Sequence, residues 1–173
     1  MKKYNFYSVS IIRSYNLTAK MIHLGMFLWC IFRFKKPKKS YNHCEIRFGN
    51  LTSGAIASGV KTRKWDNYYN ESKKQVINYE LKLTNEEMFR SYLFLKSTEN
   101  IPYEFENFLW HLIKIITGFW IGSKTNNHTY CYEHGIRWIN NTFNVELDVF
   151  MNPHQFKEWV DKNYDPLLKR FKF

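Results

Sequence analysis

The stretch YNHCEIRFG at residues 41–49 places a histidine, a cysteine and a glutamate side by side in a short run of strand-forming residues. Gly49 and Asn50 close the run with the residue types that tight turns favour. The small, apolar run SGAIASGV at residues 53–60 follows, with turn residues at both ends, and is predicted to be the second strand of a hairpin. An antiparallel sheet is therefore expected to be built around residues 41–60.

Segments on either side of this hairpin add strands to the predicted sheet. Apolar and β-branched residues roughly alternate at residues 4–14 and 75–83, which predicts two more strands, and the basic, aromatic residues 61–74 are predicted to be a loop. The order of strand, helix, three strands and then helices predicts an α+β fold, with a small, mostly antiparallel sheet packed against helices. With 173 residues, the chain is expected to form a single domain over residues 1–173.

Helix signals occupy most of the remaining sequence. Thr84 and Glu87 have the spacing of a capping box, and Asn152 precedes Pro153 as a cap followed by proline at the first helical position. On these signals and on the apolar periodicity, helices are predicted at residues 16–34, 85–98, 105–120, 131–141 and 153–164.

The composition favours a globular protein with a basic surface. A hydrophobic content of 45% and an aromatic content of 19% argue against disorder. The formal net charge of +11 would attract an anionic polymer, nucleic acid or a membrane surface with anionic headgroups. The basic clusters, such as KKPKK at residues 35–39, also fit an ordinary solvated surface, and no sequence-specific nucleic-acid motif is present.

The cysteines bear on the redox compartment and on metal binding, and the most apolar run bears on membrane contact. Cys30, Cys44 and Cys131 lack the spacing of a disulfide framework or of paired zinc ligands, so we expect a reducing compartment and neither a metal nor a cofactor. The first residues do not resemble a signal peptide. Residues 21–34 would span about 21 Å as a helix, short of the ~30 Å hydrocarbon core, so a buried helix is predicted, with a membrane-touching helix as the alternative.

His43 and Glu45 are the first candidate site residues. On a strand they share one face, so Glu45 could orient the imidazole of His43 as the third member of a nucleophile–base–acid triad. Cys44 points to the opposite face and is expected to pack in the core as a small apolar side chain. An ordinary solvent-facing pair of His43 and Glu45 is the simpler alternative.

Cys131 is the candidate nucleophile. It follows a polar loop at the predicted first turn of a helix, where the partial positive charge of the helix favours a thiolate. Glu133 in the same turn would oppose a thiolate if it faced the sulfur, and a free buried cysteine is the alternative. His134 lies three residues on but is a poorer base, since a base should approach from a separate, rigid element.

The order of SYNHCEIRFG, SGAIASGVKTRKW, IPYEFENF and YCYEH in this chain resembles the circularly permuted papain-like hydrolases. These form the YiiX-like branch of the NlpC-type superfamily, which is related to the lecithin retinol acyltransferase family. The matches extend over residues 5–142, and the histidine precedes the cysteine, as the permutation requires. The resemblance implies a permuted papain-like fold.

The resemblance also implies roles for individual residues. Cys131 would be the nucleophile, His43 the general base and Glu45 the orienting acid. In many relatives the third polar residue lies on the next strand, where this chain has only small residues, so Ser58 is a poor reserve. Tyr132 stands where a serine commonly follows the cysteine, which departs from the family pattern.

The expected function is a cysteine-dependent hydrolase or acyltransferase that cleaves an amide or ester bond through a thioester acyl-enzyme. The substrate would be a cell-wall (peptidoglycan) peptide or a lipid, and the backbone N–H of Cys131 would be one oxyanion donor. The alternative is a non-catalytic structural or virion protein that keeps the scaffold and binds an anionic partner or other virion proteins. Small proteins of this type are common in bacteria and bacteriophages, so we expect a cytoplasmic or virion-associated protein, with peripheral membrane contact as a further option.

Overall fold

Ten elements are defined in the computed structural model, which describes residues 7–13, 41–65, 75–103 and 129–173, with positions 20, 23–24, 27–28, 30–31, 110 and 113. The strands are β1 Tyr7–Arg13, β2 His43–Phe48, β3 Leu51–Ile56, β4 Gly59–Lys64, β5 Gln75–Leu81, β6 Tyr164–Asp165 and β7 Arg170–Phe171. The helices are α1 Asn85–Thr98, α2 Cys131–Phe143 and α3 Pro153–Asn163.

The five longer strands form one antiparallel sheet in the order β4-β3-β2-β1-β5. β2 lies in the middle, with β1 on one side along its whole length and β3 on the other only from Ile46 to Phe48. With three helices beside it, this sheet confirms the predicted α+β class. Because β3 is not paired with the first half of β2, the space beside His43 and Glu45 is open to side chains.

The prediction of one strand over residues 53–60 is wrong. β3 ends at Ile56, Ala57 and Ser58 form the turn, and Gly59 opens β4 at a φ of +100°, which favours glycine. The basic residues 61–64 continue β4, although they were predicted to lie in a loop. The turn residues Ala57 and Ser58 are not an asparagine–glycine type pair, so the boundary between β3 and β4 cannot be recognised in the sequence. Ser58 therefore lies in an exposed turn.

One face of the sheet packs against α2 to form the main core. Cys44 and Ile46 of β2 lie on this face, opposite His43 and Glu45, as the alternation of a strand requires. A Cβ atom at Gly135 would come within 2.6 Å of Cys44 Sγ, so the helix approaches the sheet at the one position without a side chain there. The fully buried members of this core are Val9, Ile11, Cys44, Ile46, Ile136, Trp138, Ile139, Phe156 and Val160.

The other face of the sheet is polar and is also buried. Ser8, Ser10, Glu45 and Thr52 all have 0% exposure, and Ser10 donates its hydroxyl to the Asn78 side chain at 2.7 Å. The candidate site is built on this polar face.

The helix signals near both capping sequences are confirmed. Thr84 and Glu87 form a complete capping box at α1, and Asn152 with Gln155 does the same at α3. α2 begins at Cys131, as predicted. The short β6–β7 hairpin at the end of the chain was not predicted.

The two most apolar predicted helices, at 16–34 and 105–120, lie largely outside the described residues. Their described positions are helical, and Cys30 is buried. Leu24, Phe27 and Ile31 are 59%, 47% and 49% exposed. Among the described residues, no helix has the length and apolar character needed to cross a membrane.

Candidate active site

β2 carries both members of the His43–Glu45 pair. The residues are two positions apart on one strand, so their side chains leave the same face of the sheet. His43 Nε2 lies 2.7 Å from Glu45 Oε1, within hydrogen-bond distance. The His43 side chain is 18% exposed, whereas that of Glu45 is 0% exposed. The pair therefore connects a ring that solvent can reach to a carboxylate that solvent cannot.

Two residues from neighbouring strands complete the surroundings of Glu45. Thr52 on β3 donates its hydroxyl to Oε2 at 2.6 Å, and Arg63 on β4 donates from its guanidinium to Oε1. Thr52 and Arg63 are directly opposite each other in the β3–β4 register. Three adjacent strands thus supply the hydrogen-bond donors that a buried carboxylate needs.

Gly54 provides the space in which the Glu45 side chain lies. A Cβ atom at position 54 would come within 2.9 Å of Glu45 Cγ and 3.1 Å of Cδ. Only a residue without a side chain therefore leaves Glu45 in place. The glycine at position 54 therefore leaves room for Glu45, which lies on the same strand as His43, to reach the imidazole.

Cys131 opens α2 next to the start of β2. Its N-cap residue, Tyr130, makes no side-chain capping hydrogen bond, so the first amide groups of α2 receive no side-chain cap. The cysteine is 4% exposed, and its Sγ donates to the backbone oxygen of Asn42 at 3.7 Å. The sulfur also interacts with the His43 side chain, and this interaction raises the pKa of the imidazole. Because Nε2 of His43 faces Glu45, Nδ1 is the ring nitrogen left for the sulfur.

The charges of these groups support one another. Burial favours neutral His43, but hydrogen bonds with Cys131 and Glu45, and the negative charges of both, raise its pKa to about 9. Burial would also raise the pKa of Glu45, but the hydrogen bond and charge of His43, the charge of Arg63 and the hydrogen bond from Thr52 hold it at about 2. The site therefore favours an imidazolium beside a carboxylate.

Tyr103 is a site residue that the sequence reasoning did not single out. Its pKa is raised by burial, by the charge of Cys131 and by a hydrogen bond to the Cys131 side chain. Tyr103 forms an isolated parallel β-bridge with Thr129, and the Thr129 N–H donates to the Pro102 oxygen at 3.1 Å. The IPYEFENF stretch, which carries part of the family resemblance, is the sequence signal for this residue.

The segment before Tyr103 is anchored on β4. Val60 N–H donates to the Ile101 oxygen at 2.8 Å, and Asn100 N–H donates to the Val60 oxygen at 2.9 Å. The Glu99 carboxylate accepts from the Thr62 amide at 3.1 Å and from its hydroxyl at 2.7 Å. The tyrosine is thus attached to the strand that also carries Arg63.

The remaining candidates lie apart from the sulfur–imidazole contact or face other partners. His134 is 1% exposed, with Nε2 3.4 Å from Ser53 Oγ and its ring beside Phe94, and burial lowers its pKa to about 4. Glu133 is paired with Arg137 at 2.5 Å, so its charge is balanced within α2. Tyr132 packs edge-on against Phe156.

Among the described residues, no group of three histidine, cysteine or acidic side chains is arranged to hold a metal ion. No protein-family model matches the chain, and no curated protein matches it in sequence. The geometry of His43, Glu45, Cys131 and Tyr103 is therefore the basis for a functional assignment.

Proposed function

We propose that the protein is a cysteine-dependent hydrolase or acyltransferase that cleaves an amide or ester bond through a thioester acyl-enzyme. The observation that carries this proposal is the hydrogen bond between His43 and Glu45, with the Cys131 sulfur beside the start of the same strand and interacting with the same imidazole. A nucleophile, a base and an acid that orients the base are the three parts that such chemistry requires. They come from separate elements, α2 and β2.

In the proposed mechanism, His43 takes the proton of the Cys131 thiol through Nδ1, and the thiolate attacks the substrate carbonyl. The C–O double bond becomes a single bond, and the new oxyanion accepts hydrogen bonds from the Cys131 backbone N–H and the Tyr103 hydroxyl. His43 then gives its proton to the leaving amine or alcohol as the carbon–heteroatom bond breaks. Water, or another acyl acceptor, then attacks the thioester while His43 takes its proton, and the C–S bond breaks to release the acyl product and return the Cys131 thiolate beside protonated His43.

Two substrate classes fit this chemistry, a peptide amide of cell-wall material and an acyl ester of a lipid. The exposed apolar side chains of Leu24, Phe27 and Ile31 lie at helical spacing on one face and support the lipid class. The net charge of +11 supports an anionic surface as the place where the substrate is met. The proposal includes a bacterium or a bacteriophage as the source of the protein.

The test is selective reaction of Cys131 with an electrophilic acyl probe, followed by peptide mapping. We expect Cys131 to react faster than Cys30 and Cys44, and His43→Ala to abolish the difference. Equal reaction of the three cysteines, with no effect of His43→Ala, would contradict the enzyme proposal. A screen of peptidoglycan fragments and phospholipids with Cys131→Ser as the inactive control would then separate the substrates.

One observation favours a second candidate, a non-catalytic scaffold that binds an anionic partner. The Cys131 side chain is 4% exposed, and a nucleophile must meet its substrate. Binding to an anionic polymer that weakens steeply with salt, without probe labelling of Cys131, would support the scaffold.

A further inference from the structure

The Glu45 carboxylate has two cationic partners on one oxygen. His43 Nε2 and the Arg63 guanidinium both meet Oε1, while Oε2 is occupied by the Thr52 hydroxyl. The Glu45 side chain is 0% exposed and that of Arg63 is 13% exposed. Water therefore has little access to the point where the three side chains meet.

This arrangement matters because His43 has to change its charge during the proposed reaction. As an imidazolium it balances Glu45, but after it has given its proton to the leaving group it is neutral. A buried carboxylate without a cation is strongly destabilised. A guanidinium does not change its charge during such a reaction, so Arg63 stays as the counter-ion when His43 becomes neutral.

We propose that Arg63 is a positioning residue of the site, which keeps Glu45 ionised and in place while His43 alternates between imidazolium and imidazole. The proposal rests on the proposed function for its catalytic meaning. By sharing Oε1, Arg63 also weakens the hold of Glu45 on the proton of His43. The histidine can then release that proton, which a carboxylate with no other cation would retain more tightly.

Other titratable groups face the same pair and have to be kept in the comparison. Cys131 and His134 approach from α2, and Cys44 lies next to both residues on β2. Tyr103 faces the sulfur of Cys131. Each of these groups is unchanged in the variants below, so a difference between variants reports on Arg63.

The experiment is an NMR titration of the His43 ring in the full-length protein, which needs no turnover. Arg63→Gln removes the charge but keeps an N–H donor for Glu45, and Arg63→Lys keeps the charge. We expect Arg63→Gln to raise the His43 titration midpoint by about one pH unit, because a nearby cation is lost. Arg63→Lys should leave it within about 0.3 of a unit of the wild-type value.

Arg170→Met is the matched control, since it removes an arginine that pairs with another glutamate, Glu87, at 2.6 Å. Its midpoint should equal that of the wild type. An unchanged midpoint in Arg63→Gln, with the variant folded, would overturn the proposal. If Arg63→Gln does not fold, Arg63→Lys alone decides, because a rise of a full unit there would contradict a role for the charge.

The outcome is separate from the fate of the enzyme proposal. A raised midpoint in Arg63→Gln without acyl-probe labelling of Cys131 would leave the role of Arg63 standing and remove its catalytic meaning. Selective labelling of Cys131 with an unchanged His43 midpoint would support the enzyme proposal and overturn the proposed role of Arg63. In an active enzyme, the alkaline limb of the labelling rate should move upward with the midpoint in Arg63→Gln.

Discussion

Glu45 is the residue on which the geometry of the site depends most. It accepts hydrogen bonds from side chains on β2, β3 and β4, yet it belongs to the same strand as the histidine that it orients. A side chain held at so many points has little freedom to adopt another rotamer. Substitutions next to Glu45 should therefore lower the reactivity of Cys131 more than they lower the free energy of unfolding.

Gly54→Ala tests this sensitivity. The new methyl group would lie within 2.9 Å of Glu45 Cγ, so the carboxylate has to move away from His43. We expect the acyl-probe labelling of Cys131 to slow by roughly 10- to 100-fold, as misplaced catalytic groups commonly do. Ala55→Gly, at the next position on the opposite face, is the control. Equal slowing in both variants would show a general loss of folding instead.

Tyr103→Phe tests whether the Tyr103 hydroxyl is the second oxyanion donor of the proposed mechanism. Loss of one such donor typically lowers the rate by about 100- to 1,000-fold. We expect this loss with an acyl probe, whose reaction develops an oxyanion, and not with iodoacetamide, whose alkylation of a thiolate develops none. The ratio of the two labelling rates at Cys131 is the measurement. If both reactions slow by the same factor, Tyr103 acts on the sulfur alone.

At the level of single residues, strand alternation and a helix start can be read locally, and they predict His43, Glu45 and Cys131 as candidates, which lie near one another in the structure. Arg63 and Tyr103 were missed for a physical reason. Each reaches the site through strand register or through a bridge to a distant segment, and neither pairing is encoded by local periodicity. Thr52 is brought to Glu45 in the same way.

Among the elements, α2 approaches the sheet closely at one glycine. Gly135 faces Cys44 with no side chain between the helix backbone and the sulfur. Since Cys131 belongs to the same helix, this contact also sets the depth at which the sulfur lies beside β2. Cys44 thus acts as a small apolar spacer between the helix and the sheet, in agreement with the prediction that it packs in the core.

Gly135→Ala should destabilise the protein through this contact. The added methyl would lie 2.6 Å from Cys44 Sγ, and overpacking of this kind costs about 1–3 kcal/mol. We expect Cys44→Ala to suppress most of that loss, because it removes the sulfur. Urea unfolding of the two single variants and the double variant gives the coupling free energy. Strictly additive effects would mean that the helix moves instead.

The elements themselves were predicted unevenly, and the chemistry of their ends explains why. Both capping boxes carry their hydrogen bonds within four residues, so α1 and α3 could be placed from sequence. The turn between β3 and β4 consists of Ala57 and Ser58, which lack the strong turn chemistry of asparagine–glycine pairs. The sequence therefore predicts a loop where the structure has β4, the strand that carries Arg63.

For the whole molecule, the pKa shifts of His43, His134 and Glu45 predict a stability maximum near pH 6.5. The pKa of His43 is raised from 6.5 to about 9, so its contribution is complete below pH 6.5 and is lost as the pH rises through 9. The pKa values of His134 and Glu45 are lowered to about 4 and about 2, so their contributions are lost as the pH falls.

Urea unfolding between pH 3 and pH 10 measures this profile. The free energy of unfolding should fall on both sides of the maximum. His134→Gln should flatten the decline between about pH 6.5 and pH 4, because the imidazole that has to stay neutral is gone, while the alkaline side should be unchanged. A constant free energy of unfolding from pH 4 to pH 9 would contradict the assigned shifts.

The segment at residues 99–101 has a second consequence, for association between copies of the chain. β4 ends the sheet, and an end strand with unpaired amide and carbonyl groups is a template for strand addition by another molecule. The hydrogen bonds of Val60 with Ile101 and Asn100, and of Thr62 with Glu99, use up the groups at the start of this strand. The residues that hold Tyr103 beside the sulfur thus also protect the sheet edge from intermolecular β-pairing.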